Sequence, residues 1–141
     1  MITLDQVERA QKKWGEGIIK IGSLKNNYKL CKQFTSNFLN ERYNLKEGKI
    51  LFKPTKAIEE QFRPNLDMAL SYFIGGEDSF CKEDQGFAMK PWIKVSFENS
   101  GFIFEKNRAI AMGNYFFTDL NEKTIKVEYS FGYKLIDSKL Y

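Results

Sequence analysis

Apolar residues in the first half of the chain recur at the spacing of α-helices. The first stripe starts after residues 3–6 (Thr-Leu-Asp-Gln), which match a capping box. A second stripe spans residues 28–43, and a short one follows Asn65, which suits an N-cap. The pattern predicts three helices. Gly15 and Gly17 each weaken the first helix by about 1 kcal/mol relative to alanine, so we expect a closely packed neighbour there.

From Gly86 onward the apolar residues alternate with polar ones, which is typical of strands. Strands are expected at residues 50–52, 91–97, 108–118 and 125–133, with residues 102–105 extending or pairing with the second. Helices followed by an antiparallel meander are the pattern of an α+β domain. A chain of 141 residues has the length of one such domain, residues 1–141.

The predicted sheet needs cover on both sides. The stretch from Arg108 to Thr118 is apolar on both of its faces. One face is expected to pack on the helices and the other on a second copy of the chain. The sequence therefore predicts a homodimer formed through the sheet.

The termini, cysteines and charge indicate the setting of the protein. An acid at Asp5 and the lack of an apolar segment argue against a signal peptide, and no apolar run approaches the ~20 residues of a membrane span. Cys31 and Cys81 suit reduced thiols, so we expect a cytoplasmic protein without membrane contact. The net charge of +4 is mild, and the lysines of residues 25–32 are expected to face solvent rather than nucleic acid.

The chain contains no histidine. This removes Ser-His-Asp and Cys-His nucleophile systems, the usual general base near neutral pH, and imidazole metal ligands. Two distant cysteines do not complete a structural zinc site, and no phosphate-binding loop or dinucleotide fingerprint is present. We therefore expect no metal and no cofactor. Catalysis by a carboxylate stays open, because burial can raise the pKa of a carboxyl group toward neutral pH.

Polar residues inside apolar strands are candidates for a ligand pocket. Lys94, Asn114 and Glu128 each stand between apolar neighbours, and adjacent strands can bring them to one surface. One hypothesis makes them a pocket floor, with Glu128 as base or anchor, Lys94 as its cation and Asn114 as amide donor. The alternative is a Lys94–Glu128 cross-strand pair that faces water and contributes under ~1 kcal/mol.

Aromatic residues make up 16% of the chain and require a large core, an interface or a pocket. Trp14, Tyr72 and Trp92 are candidates for pocket walls, because Trp and Tyr combine an apolar body with a polar group. Packing in the core is the alternative for each of them.

Six segments resemble a known superfamily and cover most of the chain. They are VERAQKKWGEGIIKI (7–21), LFKPTKAIEEQFR (51–63), ALSYFIGG (69–76), GFAMKPWIKVSFEN (86–99), AMGNYFFTD (111–119) and VEYSFGY (127–133). Together they resemble the nuclear-transport-factor-2-like superfamily, also called the SnoaL-like or cystatin-like fold. Within it, they are most similar to bacterial proteins resembling the calcium/calmodulin-dependent kinase II association domain.

The resemblance implies a fold and a site. It implies a cone-shaped α+β barrel, in which a strongly curved mixed or antiparallel sheet wraps a long N-terminal helix. It also implies a pocket at the open end of the cone and dimers through the other face of the sheet. Relatives of this kind continue into another long strand that carries histidine and serine. Here residues 137–139 resemble the turn into that strand, which implies an open strand edge.

These observations predict a small-molecule-binding domain with a pocket between the helices and the curved sheet. The sequence does not name the ligand. A non-catalytic homo-oligomerisation or association module is the first alternative. An isomerase, dehydratase or cyclase that uses carboxylate chemistry is the second, because the superfamily includes such enzymes and a fold does not determine a function.

Overall fold

The computed structural model describes residues 1–141 as three helices and a four-stranded sheet. The helices are α1 (Leu4–Ser23), α2 (Tyr28–Tyr43) and α3 (Leu66–Ile74). The strands are β1 (Trp92–Phe104), β2 (Arg108–Asp119), β3 (Thr124–Ile136) and β4 (Lys139–Leu140). Single 3₁₀ turns occupy Leu45–Glu47 and Phe87–Met89. The α+β prediction is confirmed.

The predicted capping box starts α1. The Thr3 hydroxyl oxygen accepts from the Gln6 amide at 3.2 Å, and the Gln6 side-chain oxygen accepts from the Thr3 amide at 2.9 Å. The apolar stripe of the helix then faces the core, where Ile18 is fully buried. A Cβ at Gly17 would overlap the Phe38 ring of α2, so the expected close neighbour is present.

The other two helices begin at asparagine caps. Asn27 Oδ1 accepts from the Leu30 amide at 3.2 Å, and Asn65 Oδ1 accepts from the Met68 amide at 3.0 Å. The helix α2 ends at Asn44, whose backbone is left-handed with φ of 48°. The short polar side chains thus set the helix boundaries that the sequence predicts.

The sheet has the order β1-β2-β3-β4, and every neighbouring pair is antiparallel. It is strongly curved and forms a half-barrel. Because no pair is parallel, the mixed alternative for the sheet does not occur. Residues 91–97 and 102–105 join into the single strand β1, which continues through a register shift between Asn99 and Gly101.

The curvature gives the sheet one buried face and one exposed face. Ala111 and Phe117 of β2 are fully buried on the concave face. On the convex face, Ile110 is 51% exposed and Met112 is 56% exposed. The central strand is therefore apolar on both faces, but the single chain covers only one of them.

The strand predicted at residues 50–52 is wrong. Two backbone hydrogen bonds tie this segment to the returning chain, from Ile50 N to Pro64 O at 3.1 Å and from Arg63 N to Phe52 O at 2.8 Å. These two bonds do not make a ladder, because the chain leaves on both sides into irregular loops.

Alternation along residues 91–97 predicts Ile93 on the same face as Val95 and Phe97, but Ile93 is not turned inward with them. A register shift between Trp92 and Lys94 interrupts the pairing of β1 with β2 at this residue. Ile93 is consequently turned outward and is 47% exposed.

The C-terminal segment turns where the sequence predicts. Asp137 and Ser138 both have positive φ, 48° and 66°, as in a two-residue hairpin turn. The following strand, β4, pairs with Leu135 and Ile136 of β3. No helix of the chain combines the length and the apolar character needed to cross a membrane. Both cysteines are free and buried.

Candidate functional site

A cavity of about 830 Å³ opens beside β3, along the edge that only the short β4 partly covers. Its walls come from both faces of the sheet at this edge, from α1, from the end of α2 and from residues 49–55. Four large aromatic side chains from different elements meet in it: Trp14, Tyr43, Tyr115 and Tyr133. A space of this size accommodates a small ligand.

Trp14 forms the apolar wall of the cavity. Its residue is only 7% exposed, because position 14 lies on the inward stripe of α1. The indole ring stacks on Tyr115 with centroids 5.4 Å apart and meets the edge of Phe117 at 6.1 Å. The indole N–H donates to the Tyr43 hydroxyl oxygen at 3.0 Å. Tyr43 therefore keeps its own O–H free to donate.

Residues 53–62, here called the Thr55 loop, bring a hydroxyl to the same place. The Pro54 carbonyl accepts from the Ala57 amide at 3.1 Å, which forms a tight turn around Thr55. The Thr55 hydroxyl donates to the Glu128 carbonyl at the open edge of β3, at 3.2 Å. Its oxygen retains lone pairs for another donor.

Burial keeps the phenols of the cavity protonated. It raises the pKa of Tyr43 to about 12, although the hydrogen bond from Trp14 acts in the opposite direction. Burial is also the main cause that raises the pKa of Tyr115 and of Tyr133, and the neighbouring Tyr43 adds to both shifts. The Thr55 side chain acts in the opposite direction on the pKa of Tyr115. The three phenols are therefore neutral hydrogen-bond donors at physiological pH.

A polar network ties α1 to the sheet next to the cavity. Gln11 Nε2 donates to Asn99 Oδ1 at 2.7 Å, and Asn99 Nδ2 donates to Gln11 Oε1 at 2.9 Å. The Tyr129 hydroxyl also donates to Asn99 Oδ1. No buried side-chain nitrogen or oxygen lacks a partner. This network consequently fixes the helix on the sheet and leaves ligand binding to the other hydroxyls.

Basic side chains outnumber acidic ones around the mouth of the cavity. The lining contains the cations Arg42, Lys49, Lys53, Arg108 and Lys134 and the carboxylates Glu47 and Glu105. One pair is formed, between Lys134 Nζ and Glu47 Oε2 at 3.5 Å, and both side chains are about half exposed. The remaining excess of positive charge favours the approach of an anion.

Two of the predicted wall residues lie outside the cavity lining. Tyr72 of α3 packs edge-on against Phe52 with ring centroids 6.0 Å apart, and burial raises the pKa of its phenol. Trp92 is 5% exposed and donates its indole N–H to the Phe87 carbonyl at 2.8 Å. Trp92 thus packs in the core, which was its alternative placement.

The three polar strand residues do not meet in the cavity. Asn114 lies directly opposite Glu128, but Lys94 pairs with Thr118, four positions further along β2. Lys94 and Glu128 are exposed on the convex face, because strand alternation turns the residue that follows each of them toward the core. No salt bridge joins Lys94 to Glu128. Only the backbone carbonyl of Glu128 reaches the site, through Thr55.

The sequence analysis missed Thr55, Tyr43, Tyr115 and Tyr133. A signal for Thr55 was present, since Pro54-Thr55 breaks an apolar run and loops at strand edges often carry function. The spacing of Tyr115 and Tyr133 does not distinguish them from aromatic residues of the core. Their common cavity becomes visible only when α2, β2 and β3 are assembled.

The sequence matches a family model described as metal-independent carbonic anhydrase over residues 5–140. The chain belongs to the metal-independent carbonic anhydrase family. A metal-independent carbonic anhydrase of Nostoc sp. (strain PCC 7120) is 35% identical over 130 residues, which cover 90% of this chain and 63% of that protein. The chain therefore spans less than two thirds of the length of this relative.

A solved structure extends the similarity to the fold. It is the crystal structure of an iota-carbonic anhydrase from a cyanobacterium, complexed with bicarbonate. The TM-score is 0.93 at 34% sequence identity, and the match covers 99% of this chain and 87% of that chain. That protein thus shares the arrangement of helices and curved sheet described above.

The assignment to the nuclear-transport-factor-2-like superfamily and to relatives of the kinase association domain is wrong, since the family is that of metal-independent carbonic anhydrases. The functions drawn from it, a binding domain without a named ligand, an association module or a carboxylate-dependent isomerase, dehydratase or cyclase, are overturned by the same findings. The physical reason is that five of the six matching segments report helices and strands of the fold, and the sixth, residues 51–63, is a loop. None of them contains a set of reacting groups.

Proposed function

We propose that this chain catalyses the reversible hydration of carbon dioxide to bicarbonate in the cavity beside the Thr55 loop. The observation that carries the proposal is the match, over 99% of the chain, to an iota-carbonic anhydrase that was crystallised with bicarbonate. The family model and the Nostoc relative support the same chemistry. No three His, Cys, Asp or Glu side chains cluster as a metal site requires.

The hydroxyl groups of the cavity suit bicarbonate, a small anion with three oxygens. Tyr43, Tyr115 and Tyr133 line the cavity from three elements, and their raised pKa values keep each phenol able to donate. The Thr55 hydroxyl already donates a hydrogen bond to the Glu128 carbonyl. Its oxygen can therefore accept a hydrogen bond from the OH group of bicarbonate. Phenol donors and a hydroxyl acceptor together match the donors and acceptors of this ligand.

The reaction also needs a place for apolar carbon dioxide. The Trp14 ring and its aromatic neighbours supply an apolar wall next to the phenols. In the hydration direction, a water oxygen bonds to the carbon, one C=O π bond breaks, and the water gives up a proton to solvent. The negative charge that develops on the oxygens is then stabilised by donors already in position. The cations at the mouth attract the anion in the reverse direction.

Replacing one phenol donor tests this assignment. We expect Tyr115→Phe to lower kcat for carbon dioxide hydration by about 100-fold, because one preorganised donor to the developing charge is removed. Stopped-flow mixing with a pH indicator measures the rate. Tyr28→Phe is the matched control, since its phenol donates to the Gly75 carbonyl at 3.2 Å away from the cavity.

The two variants separate the site from general effects of losing a hydroxyl. Unchanged hydration by Tyr115→Phe would remove Tyr115 from the mechanism. A wild-type chain that hydrates carbon dioxide no faster than buffer would remove the proposed function itself.

We also propose that two copies pair through the convex face of the sheet. Ile103, Ile110 and Met112 expose 61%, 51% and 56% of their surface on β1 and β2. Pairing of this face with its own copy would cover these residues and give β2 the second layer that its sequence pattern predicts. Ile103 and Ile110 also line the cavity, whereas Met112 does not, so the interface borders the proposed site.

A further inference from the structure

The carboxylate of Glu83 binds the backbone of the Thr55 loop. Glu83 accepts three successive backbone N–H groups of the loop: Ile58 donates to Oε1 at 2.8 Å, Glu59 to Oε2 at 2.8 Å, and Glu60 to Oε2 at 2.6 Å. Successive amides that point at one anion form a nest. These bonds lower the pKa of Glu83, so the carboxylate is charged at neutral pH.

A buried arginine holds the base of the same loop. Arg63 has no exposed side-chain surface and binds Asp84 with two bonds of 2.7 and 2.9 Å. Its guanidinium also donates to the Glu60 carbonyl at 2.7 Å and to the Met68 carbonyl at 3.0 Å. Nη2 of Arg63 lies 3.9 Å from Glu83, whose side chain is 16% exposed. Carboxylates of the neighbouring residues 77–86 thus fix the loop from two sides.

Most residues of the Thr55 loop are exposed to solvent. It contains no helix or strand of its own. Ala57 is 3% exposed, but Ile58 and Phe62 leave 79% and 72% of their surface in solvent. Apart from Pro54 and Ala57, few buried apolar contacts support the loop, and its conformation depends mainly on polar bonds, of which Glu83 and Arg63 form the largest share.

The bonds from Glu83 and Arg63 to the loop lie close to the proposed site but are not part of it. Glu83 and Arg63 do not line the cavity. Thr55, which does line it, stands only three residues before the first amide that Glu83 binds. The charge of Glu83 therefore influences the position at which the Thr55 hydroxyl binds the edge of β3.

We propose that Glu83 is a positioning residue, which places the Thr55 hydroxyl at the edge of β3 by binding the amides of Ile58, Glu59 and Glu60. The proposal rests on the proposed carbonic anhydrase function. Glu83 touches neither substrate nor water of the reaction and acts through the loop alone. Loss of its charge releases the loop and leaves the rest of the cavity in place.

A double-mutant cycle tests the role. Glu83→Gln keeps the size of the side chain but replaces one acceptor oxygen by a donor, so we expect kcat/KM to fall at least tenfold. In a Thr55→Val background the same change should cost less than twofold, because the hydroxyl that Glu83 positions is already absent. Glu77→Gln, an exposed residue of the same segment, is the matched control and should leave kcat/KM unchanged.

Hydrogen exchange provides a readout that does not need activity. Amides of residues 58–60 should exchange at least tenfold faster in Glu83→Gln, while β2 amides keep their protection. An equal loss of kcat/KM in both backgrounds, or unchanged exchange in the loop, would overturn the positioning role. An inactive wild-type chain would overturn the proposed function and this role with it, and the exchange data would still show whether Glu83 holds the loop.

Discussion

Cys81 shows how the loops around the site change the chemistry of a single side chain. The residue is completely buried, and its Sγ lies 3.2 Å from Glu60 Oε2. Burial, followed by the hydrogen bond to Glu60, raises the pKa of the thiol to about 11, from an ordinary value of 9.0. The thiol is therefore neutral and donates to the carboxylate instead of acting as a nucleophile.

The raised pKa predicts how stability depends on pH. The unfolded chain ionises Cys81 above pH 9, but the folded chain does so only near pH 11, so its stabilising effect is present at lower pH and is lost as pH rises between these values. We expect wild type to lose about 1 kcal/mol more than Cys81→Ser between pH 8 and pH 10. Urea unfolding at both pH values measures the difference. Equal losses in the two proteins would show that the thiol is not shifted.

For single residues, the sequence indicated the chemical type of a candidate site residue better than it indicated where that residue lies in the fold. Lys94 and Glu128 stand out as polar residues between apolar ones, but the same alternation places them on the convex face. Thr55 attracts no attention by type, and only the turn at Pro54 brings its hydroxyl to the edge of β3. Trp14 was singled out because Trp combines an apolar body with a polar group, and it lies on the inward stripe of α1 at the edge of the cavity.

At the scale of elements, close packing of α1 against α2 depends on a missing side chain. Gly17 lies in the interior of α1, where glycine weakens a helix by about 1 kcal/mol relative to alanine. Phe38 of α2 fills the space that a Cβ would take, and that residue is only 7% exposed. The two helices therefore meet at a position where helix propensity and packing oppose each other.

The packing effect should exceed the propensity effect. We expect Gly17→Ala to destabilise the fold by about 1–3 kcal/mol, because the added methyl displaces a buried ring. Gly132→Ala serves as the comparison, since no neighbouring atom lies within 4 Å of the place that its added methyl group would take. Chemical unfolding gives both free energies. A stabilised Gly17→Ala would mean that Phe38 moves aside at no cost.

Helices and long strands were predictable because their periodicity is long enough to read. The three helices follow their caps, β3 follows clean alternation, and β2 follows a run that is apolar on both faces. Residues 50–52 imitate a strand over three positions, which is too short for periodicity to separate a strand from an extended loop. The register shift that exposes Ile93 leaves no signal in the spacing of apolar residues.

For the whole molecule, the fold and the function were not equally accessible. The α+β class follows from the order of the elements, and the resemblance implied a curved sheet around a helix, but several families with different chemistry share that arrangement. The site is assembled from α1, α2, the Thr55 loop, β2 and β3, with no local motif among them. Comparison over the complete chain was needed to recognise the carbonic anhydrase family.

Pairing through the convex face makes a prediction at the same scale. The wild-type chain should have twice its mass of 16.5 kDa by light scattering at micromolar concentration. Met112→Glu should yield the monomer, because it places a charge in the apolar interface. Leu120→Glu makes the same change at a 64% exposed turn position and should leave the dimer intact. A monomeric wild type would contradict the pairing.

We propose that the hydroxyl-lined cavity hydrates carbon dioxide with the groups of the chain itself. The most direct measurement is the loss of ¹⁸O from labelled carbon dioxide and bicarbonate to water at chemical equilibrium, with the protein stripped of metal ions by a chelator. We expect the stripped protein to exchange ¹⁸O well above the rate in buffer and at the same rate as untreated protein. Exchange at the buffer rate, or exchange that returns only when zinc is added, would contradict it.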